Sequence, residues 1–227
     1  MRFAVGVIGQ AFKIAYDAIG VVILANVVWC LAVLFPILLV GILRVSQPYI
    51  IVGSLAFALL LFGPASAGVH FMMNRLVNGG ETTIADFGTG FTRFFSRGAL
   101  LVLVNALIAV ILVVDLIWVL NSDHLIVRLL AGVFVYFILF WLLFIQYVFP
   151  LLVEQNIGVV RVMKRAVLVA VDNLGMSFML AGAVALLGVF SVLTTAPFLL
   201  LFVSVAALIQ NFALVEILKK YDSANGR

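Results

Sequence analysis

Apolar residues run along this chain in long stretches broken by short polar clusters. From Asn173 to Val215 there is no Lys, Arg, Asp or Glu. One helical crossing of a bilayer needs roughly 20 apolar residues, so this stretch accommodates two, with Pro197 between its halves. Runs of the same kind predict six helices, over about 18–43, 50–73, 98–120, 126–150, 175–194 and 197–218. The connections are 44–49, 74–97, 121–125, 151–174 and a tight turn at Thr194-Thr195-Ala196-Pro197. Helix is required because backbone groups in lipid must be paired within their own segment. Runs such as Leu100-Leu101-Val102-Leu103-Val104 lack the alternation of a membrane β-barrel. The predicted class is all-α: a polytopic integral membrane helical bundle, with 1–227 as a single integral membrane domain.

Between the crossings, the 74–97 connection carries its own pattern. Ile84, Phe87, Phe91, Phe94 and Phe95 recur at helical spacing, with Thr89, Thr92, Arg93 and Ser96 between them. Thr83, with Asp86 three residues on, has the form of a capping box. Together they predict an amphipathic helix on the membrane face, either an anchor that orients its flanking crossings or a docking surface. Asn156 followed by Ile157, Val160, Met163 and Val167 predicts a fainter helix of the same kind. Ser96-Arg97-Gly98-Ala99-Leu100 and Lys164-Arg165-Ala166-Val167-Leu168 echo each other weakly.

Composition supports the membrane reading: 67% of residues are hydrophobic, 10% are charged and the mean hydropathy is +1.36. A soluble domain is about half apolar and a quarter charged. The first apolar run is longer than the roughly 7–15 residues of a signal-peptide core. Charge then orients the bundle. One side holds 11 basic residues and the other holds Arg44 and Arg128. By the positive-inside rule both termini are expected in the cytoplasm, in a plasma (inner) membrane. The basic balance suits anionic lipids at the cytoplasmic loops, and nothing in it suggests nucleic acid. The one cysteine, Cys30, excludes a disulfide framework and a cysteine metal site within the chain.

Candidate chemistry is sparse. Gly63-Pro64-Ala65-Ser66-Ala67-Gly68 interrupts the second crossing, either as a packed kink or as an unwound segment lining a path. Ser66 and His70 share a helix face, but the serine–histidine dyads of intramembrane proteases are usually built across helices. Asn26, Asn105, Gln146, Gln210 and Asn211 read as interhelical hydrogen-bonding groups. Asp115 is the one clear acid within a crossing. It lies about 26 Å along its helix from Gly98, near the outer boundary, at a depth close to that of Arg128. An Asp115–Arg128 ion pair is expected, with a solitary hydrated acid or a proton site as alternatives. There is no P-loop, HExxH motif, metal-ligand cluster, haem-binding histidine pair or ATPase-docking loop, so no catalytic, cofactor-binding or metal-binding residue is assigned.

Asn26-Val27-Val28-Trp29, then Gly63-Pro64-Ala65-Ser66-Ala67-Gly68, Asn74-Arg75-Leu76, Asp86-Phe87, Gly90-Phe91 and Phe94-Phe95 occur in that order. In this the chain resembles the YesL-like family of small bacterial integral membrane proteins. The specific part covers about residues 15–100, and Gly88 stands where the family often has a second aromatic. The resemblance implies a non-enzymatic multi-pass protein of uncharacterised function, an accessory of transport and in particular of carbohydrate uptake. Its implied partner is a membrane transporter. The alternative is a scaffold or assembly subunit of a larger membrane complex. The positions singled out are Asn26, Trp29, Pro64, Asp86, Phe87, Phe91, Asn105, Asp115 and Arg128. Convergence of Asn26, the Pro64 segment, Asn105 and Asp115 on one cavity would favour transport, and dry, fully packed crossings would favour the scaffold.

Overall fold

A computed structural model describes residues 2–44, 47–194 and 198–224, and every regular element among them is helical. The helices are α1 (Arg2–Asp17), α2 (Ile19–Ile42), α3 (Pro48–Val77), α4 (Ile84–Arg93), α5 (Phe95–Leu120), α6 (Leu125–Leu129), α7 (Ala131–Ile145), α8 (Val148–Gln155), α9 (Val159–Asp172), α10 (Leu174–Thr194) and α11 (Val203–Ala224), the last preceded by a π-helical turn, Phe198–Phe202. Six stretches are long and apolar enough to cross a membrane: α2, α3, α5, α6–α8 taken together, α10, and Leu200–Ser223. Each expected crossing is therefore present. Residues 195–197 of the expected last turn lie outside the described residues.

The order of elements repeats. An amphipathic helix followed by two crossings occurs as α1–α2–α3, as α4–α5–(α6–α8) and as α9–α10–α11. The joint between amphipathic helix and crossing is each time a single residue of similar backbone geometry: Ala18 (φ −112°, ψ 30°), Phe94 (φ −107°, ψ 13°) and Asn173 (φ −127°, ψ 47°). Each joint N–H still reaches the carbonyl four residues back, at Ile14, Gly90 and Val169. Each joint carbonyl still accepts from the residue four ahead, at Val22, Gly98 and Ser177. The chain thus turns without leaving backbone groups unpaired, which lipid demands. This register aligns Phe94 with Asn173. The echo of Ser96–Leu100 with Lys164–Leu168 is therefore not the structural repeat, because Lys164–Leu168 lies inside α9 and opens no crossing.

Helix α1 was not among the expected elements. Its buried stripe, Val7, Ala11 and Ala15, has four-residue spacing and packs on α11. Helix α9 is where the polar connection predicts one, and Ile157, Met163 and Val167 of the expected face pack against the core. Val162, Ala166, Val169 and Ala170 are buried, whereas Val160 is 67% exposed. Helix α4 forms with Asp86 Oδ2 accepting from the Thr83 N–H at 2.8 Å, the carboxylate half of the expected capping box. Part of its apolar face packs on α3. Phe87 and Gly90 are buried against α3, and a Cβ at Gly90 would sit 2.6 Å from Phe71 Cβ. Phe94 is the buried joint, with the Arg93 and Arg97 guanidinium groups 5.4 and 5.1 Å from its ring centroid. Ile84 and Phe95 point outward.

Of the two readings of the Gly63–Gly68 segment, the packed one agrees with the structure and the unwound one does not. Helix α3 runs through Pro64 for 30 residues, roughly 45 Å, and every residue from Gly63 to Gly68 is buried. Small side chains are needed because α5 crosses here at backbone contact. A Cβ at Gly63 would lie 2.2 Å from the Gly98 carbonyl oxygen. Gly63→Ala is expected to force α3 and α5 apart and to cost about 1–3 kcal/mol, seen as a lowered thermal midpoint in detergent. Gly53→Ala, where nothing lies within 4 Å, should leave the midpoint unchanged or raise it slightly.

Candidate intramembrane binding site

The second crossings of the three units bring uncharged polar side chains together. Helix α3 presents Ser66 and His70 one turn apart. From α2, Trp29 Nε1–H donates to Ser66 Oγ at 3.1 Å, and its ring meets the Phe62 ring edge-on at 5.4 Å. From α11, Asn211 Nδ2–H donates to the Ala207 carbonyl at 2.7 Å and to His70 Nδ1 at 2.9 Å. A backbone carbonyl can only accept, so the Ala207 bond fixes the amide nitrogen toward the imidazole. His70 Nδ1 is then the acceptor and the ring proton sits on Nε2. His70 is 6% exposed and stacks on Phe149, centroids 5.5 Å apart with a 14° tilt.

Phe149 belongs to a crossing broken between α7 and α8. Pro150 has no N–H to give the carbonyl four residues back, and the helix opens at that residue, Gln146, and at Tyr147. Gln146 Nε2–H turns to its own helix, donating to the Leu142 carbonyl at 3.1 Å, while its Oε1 is buried without a partner. The Tyr147 hydroxyl donates to Ser177 Oγ at 2.9 Å, and Ser177 Oγ–H donates to the Asn173 carbonyl at 3.0 Å. The break is thereby tied to the α9–α10 joint. Asn173 Nδ2–H in turn donates to the Tyr221 hydroxyl at 2.6 Å and fastens the far end of α11 to the same joint.

Three cavities adjoin around Phe149. One of about 350 Å³ is lined by Trp29, Phe62, Ser66, His70 and Gln210 among others. A second of about 440 Å³ is lined by Gln146, Ala181, Val184 and Gln210. A third of about 200 Å³ lies beside Asn105 and Trp141. No residue lining any of the three carries a formal charge.

The expected residues divide among different tasks. Asn26 is fully buried, and its Oδ1 accepts from the Val203 and Ser204 N–H groups at 2.7 and 3.2 Å. It caps α11 where the π-helical turn gives way to α-helix. Asn105 is satisfied by Trp141 Nε1–H at 3.2 Å and by the Leu101 carbonyl at 2.8 Å. Asp86 pairs with Arg75, and Phe87 stacks on Phe91 at 6.1 Å. The Asp115–Arg128 pair is not formed. Among the described residues the ion pairs are Arg75–Asp86 and Lys219–Glu216. The α6 helix ends at Leu129, and Arg128 Nε–H folds back to the Ser122 carbonyl at 2.7 Å. A local acceptor therefore takes the guanidinium, and Asp115 remains half-exposed.

Asn26, Pro64, Asn105 and Asp115 thus do not meet in one cavity. Ser66, His70 and Gln210 do. Ser66 and His70 are engaged by Trp29 and Asn211 and not by each other, so the basic ring nitrogen is unavailable to the hydroxyl. Among the described residues no group of three or more His, Cys, Asp or Glu side chains is placed to hold a metal. Phe149 and the shared role of Gln146 and Gln210 were not anticipated. A signal was present in the repeated Ile145-Gln146 and Ile209-Gln210, each followed by Leu-Val-Glu at Leu152–Glu154 and Leu214–Glu216.

Asn26→Leu is expected to leave two amides unpaired at membrane depth and to cost about 1–3 kcal/mol. Hydrogen exchange should accelerate first at Val203 and Ser204. Unchanged protection there would remove Asn26 from its capping role. No family model matches the chain, and neither does any curated protein or solved structure.

Proposed function

We propose that this chain is a multi-pass membrane component associated with transport, working beside a transporter subunit in the manner the YesL-like resemblance implies, with carbohydrate uptake as the process served. The observation that supports transport over a purely structural role is the set of cavities around Phe149. The transported sugar would pass through the partner, because the walls here offer few polar groups. The scaffold reading draws on the outward aromatic side chains Trp118 and Tyr136, at 68% and 64% exposure, a flank that could bind neighbouring subunits.

In this reading the end bearing α1, α4 and α9 is cytoplasmic, as the basic residues Arg75, Arg93, Arg97, Arg161, Lys164 and Arg165 direct. The membrane is the plasma membrane.

Two measurements test the proposal. In a Cys30→Ser background, single cysteines at Gly88, Ser122 and Ser223 should react with an impermeant thiol reagent outside intact cells only at Ser122. Gly88 is chosen over Gly90 because a side chain there meets open space. Labelling at Gly88 would invert the orientation. Mild-detergent copurification should recover a solute-transport membrane subunit at fixed stoichiometry. Recovery of the chain alone, or with a complex lacking any transport subunit, would overturn the transport association.

A further inference from the structure

The His70 ring leaves one strong donor without use. Its Nδ1 is held by Asn211, and its Nε2–H has no protein partner among the described residues although His70 is buried. No hydrogen bond within the described residues uses this donor, and His70 lines a cavity, so an acceptor on a ligand in that cavity can meet it. His70 is part of the wall of the 350 Å³ cavity, beside the rings of Trp29, Phe62 and Phe149. Gln210 is shared with the adjoining 440 Å³ cavity. Each volume falls in the range that small molecules occupy, roughly 300–1,000 Å³.

We propose that this chamber binds a neutral lipid whose head carries an uncharged oxygen, carbonyl or hydroxyl, that accepts from His70 Nε2–H. Three observations fix the class. The walls carry no formal charge, so an anionic or cationic head would be desolvated without compensation. The walls are otherwise apolar and aromatic, which suits an acyl or isoprenoid chain and a flat or compact head. The polar groups gathered at the chamber are few, which excludes a free sugar with its many hydroxyls. Ser66 and the Gln210 amide stand on the same wall as further hydrogen-bonding groups. The inference goes beyond the transport proposal and does not depend on it, because the ligand is held by this chain alone.

The test uses the purified full chain in phosphatidylcholine nanodiscs, titrated with 1,2-dioctanoylglycerol, with decylubiquinone and with dioctanoylphosphatidylglycerol. Thermal midpoint and tryptophan fluorescence are followed. At least one neutral probe should raise the midpoint saturably, as ligand binding to the folded state requires. Which one does so separates a hydroxyl-headed glyceride from a quinone. The anionic lipid should bind about tenfold more weakly or not at all. His70→Phe keeps the stack on Phe149 and should weaken the neutral probe about tenfold. Val184→Phe, which fills the space shared by both cavities from α10 without touching the His70–Asn211 pair, should do the same and stands in if His70→Phe fails to fold. Failure of both neutral probes, equal binding of the anionic lipid, or undiminished binding in the folded variants would each overturn the site. Copurification of a transporter bears on none of these outcomes.

Discussion

Helix α11 carries more polar character than a lipid-facing helix can tolerate, and the rest of the bundle is arranged to enclose it. Its crossing has a mean hydropathy of 2.0, the lowest of the six, and is 67% buried inside the protein, the highest share. The α5 crossing has a hydropathy of 3.0 and is only 11% buried. In water the most apolar segment would sit innermost. In a bilayer the order reverses, because lipid solvates leucine as well as a protein core does, whereas a polar group such as the Asn211 amide N–H finds its acceptors only inside the protein. Helices α1, α2, α3, α8 and α10 all pack on α11. Asn26 caps its start, His70 takes the Asn211 amide, and Asn173 holds Tyr221 near its end.

The repeated unit explains how such a helix comes to be enclosed. Each amphipathic helix meets its crossing through one residue whose backbone bonds continue in both directions. The joint is therefore stiff, and it fixes where the following hairpin enters. The three second crossings, α3, α7–α8 and α11, supply the polar residues Ser66 and His70, Gln146, and Gln210 and Asn211. The first crossings supply Trp29, Asn26 and Asn105, which satisfy or cap them or meet Trp141. Polarity is thus concentrated on the helices that return toward the basic end, and the cavities form where those helices converge.

Much of this was legible in the sequence. Long apolar runs locate all six crossings, because lipid imposes length and hydropathy on every one of them. The capping residues Thr83 and Asp86 locate α4, because that interaction is local. What was not legible depends on neighbours. The stripe of α1 is built from Val7, Ala11 and Ala15, small residues with little hydropathic contrast whose role is close approach to α11. On α9 only Val160 was misplaced, because it is as apolar as Val162 and only packing distinguishes them. The Gly63–Gly68 segment looked like an interruption because proline and glycine usually break helices. It is continuous because α5 lies against it at Gly98. Similar depth also misled for Asp115 and Arg128, since the guanidinium takes the Ser122 carbonyl six residues back in the adjoining loop.

The break at Gln146 and Tyr147 joins fold to function. Helices α2 and α3 run on through Pro36 and Pro64, whereas the crossing opens before Pro150, and the opened turn is fastened by the Tyr147–Ser177 bond to the α9–α10 joint. With the turn opened and held, Phe149 stacks on His70, and the three cavities adjoin around its ring. Tyr147 therefore holds the chamber open at a distance from any ligand. Its hydroxyl sits at the amphipathic joint of the third unit, so the opened turn and the α9–α10 joint share one hydrogen-bonded connection.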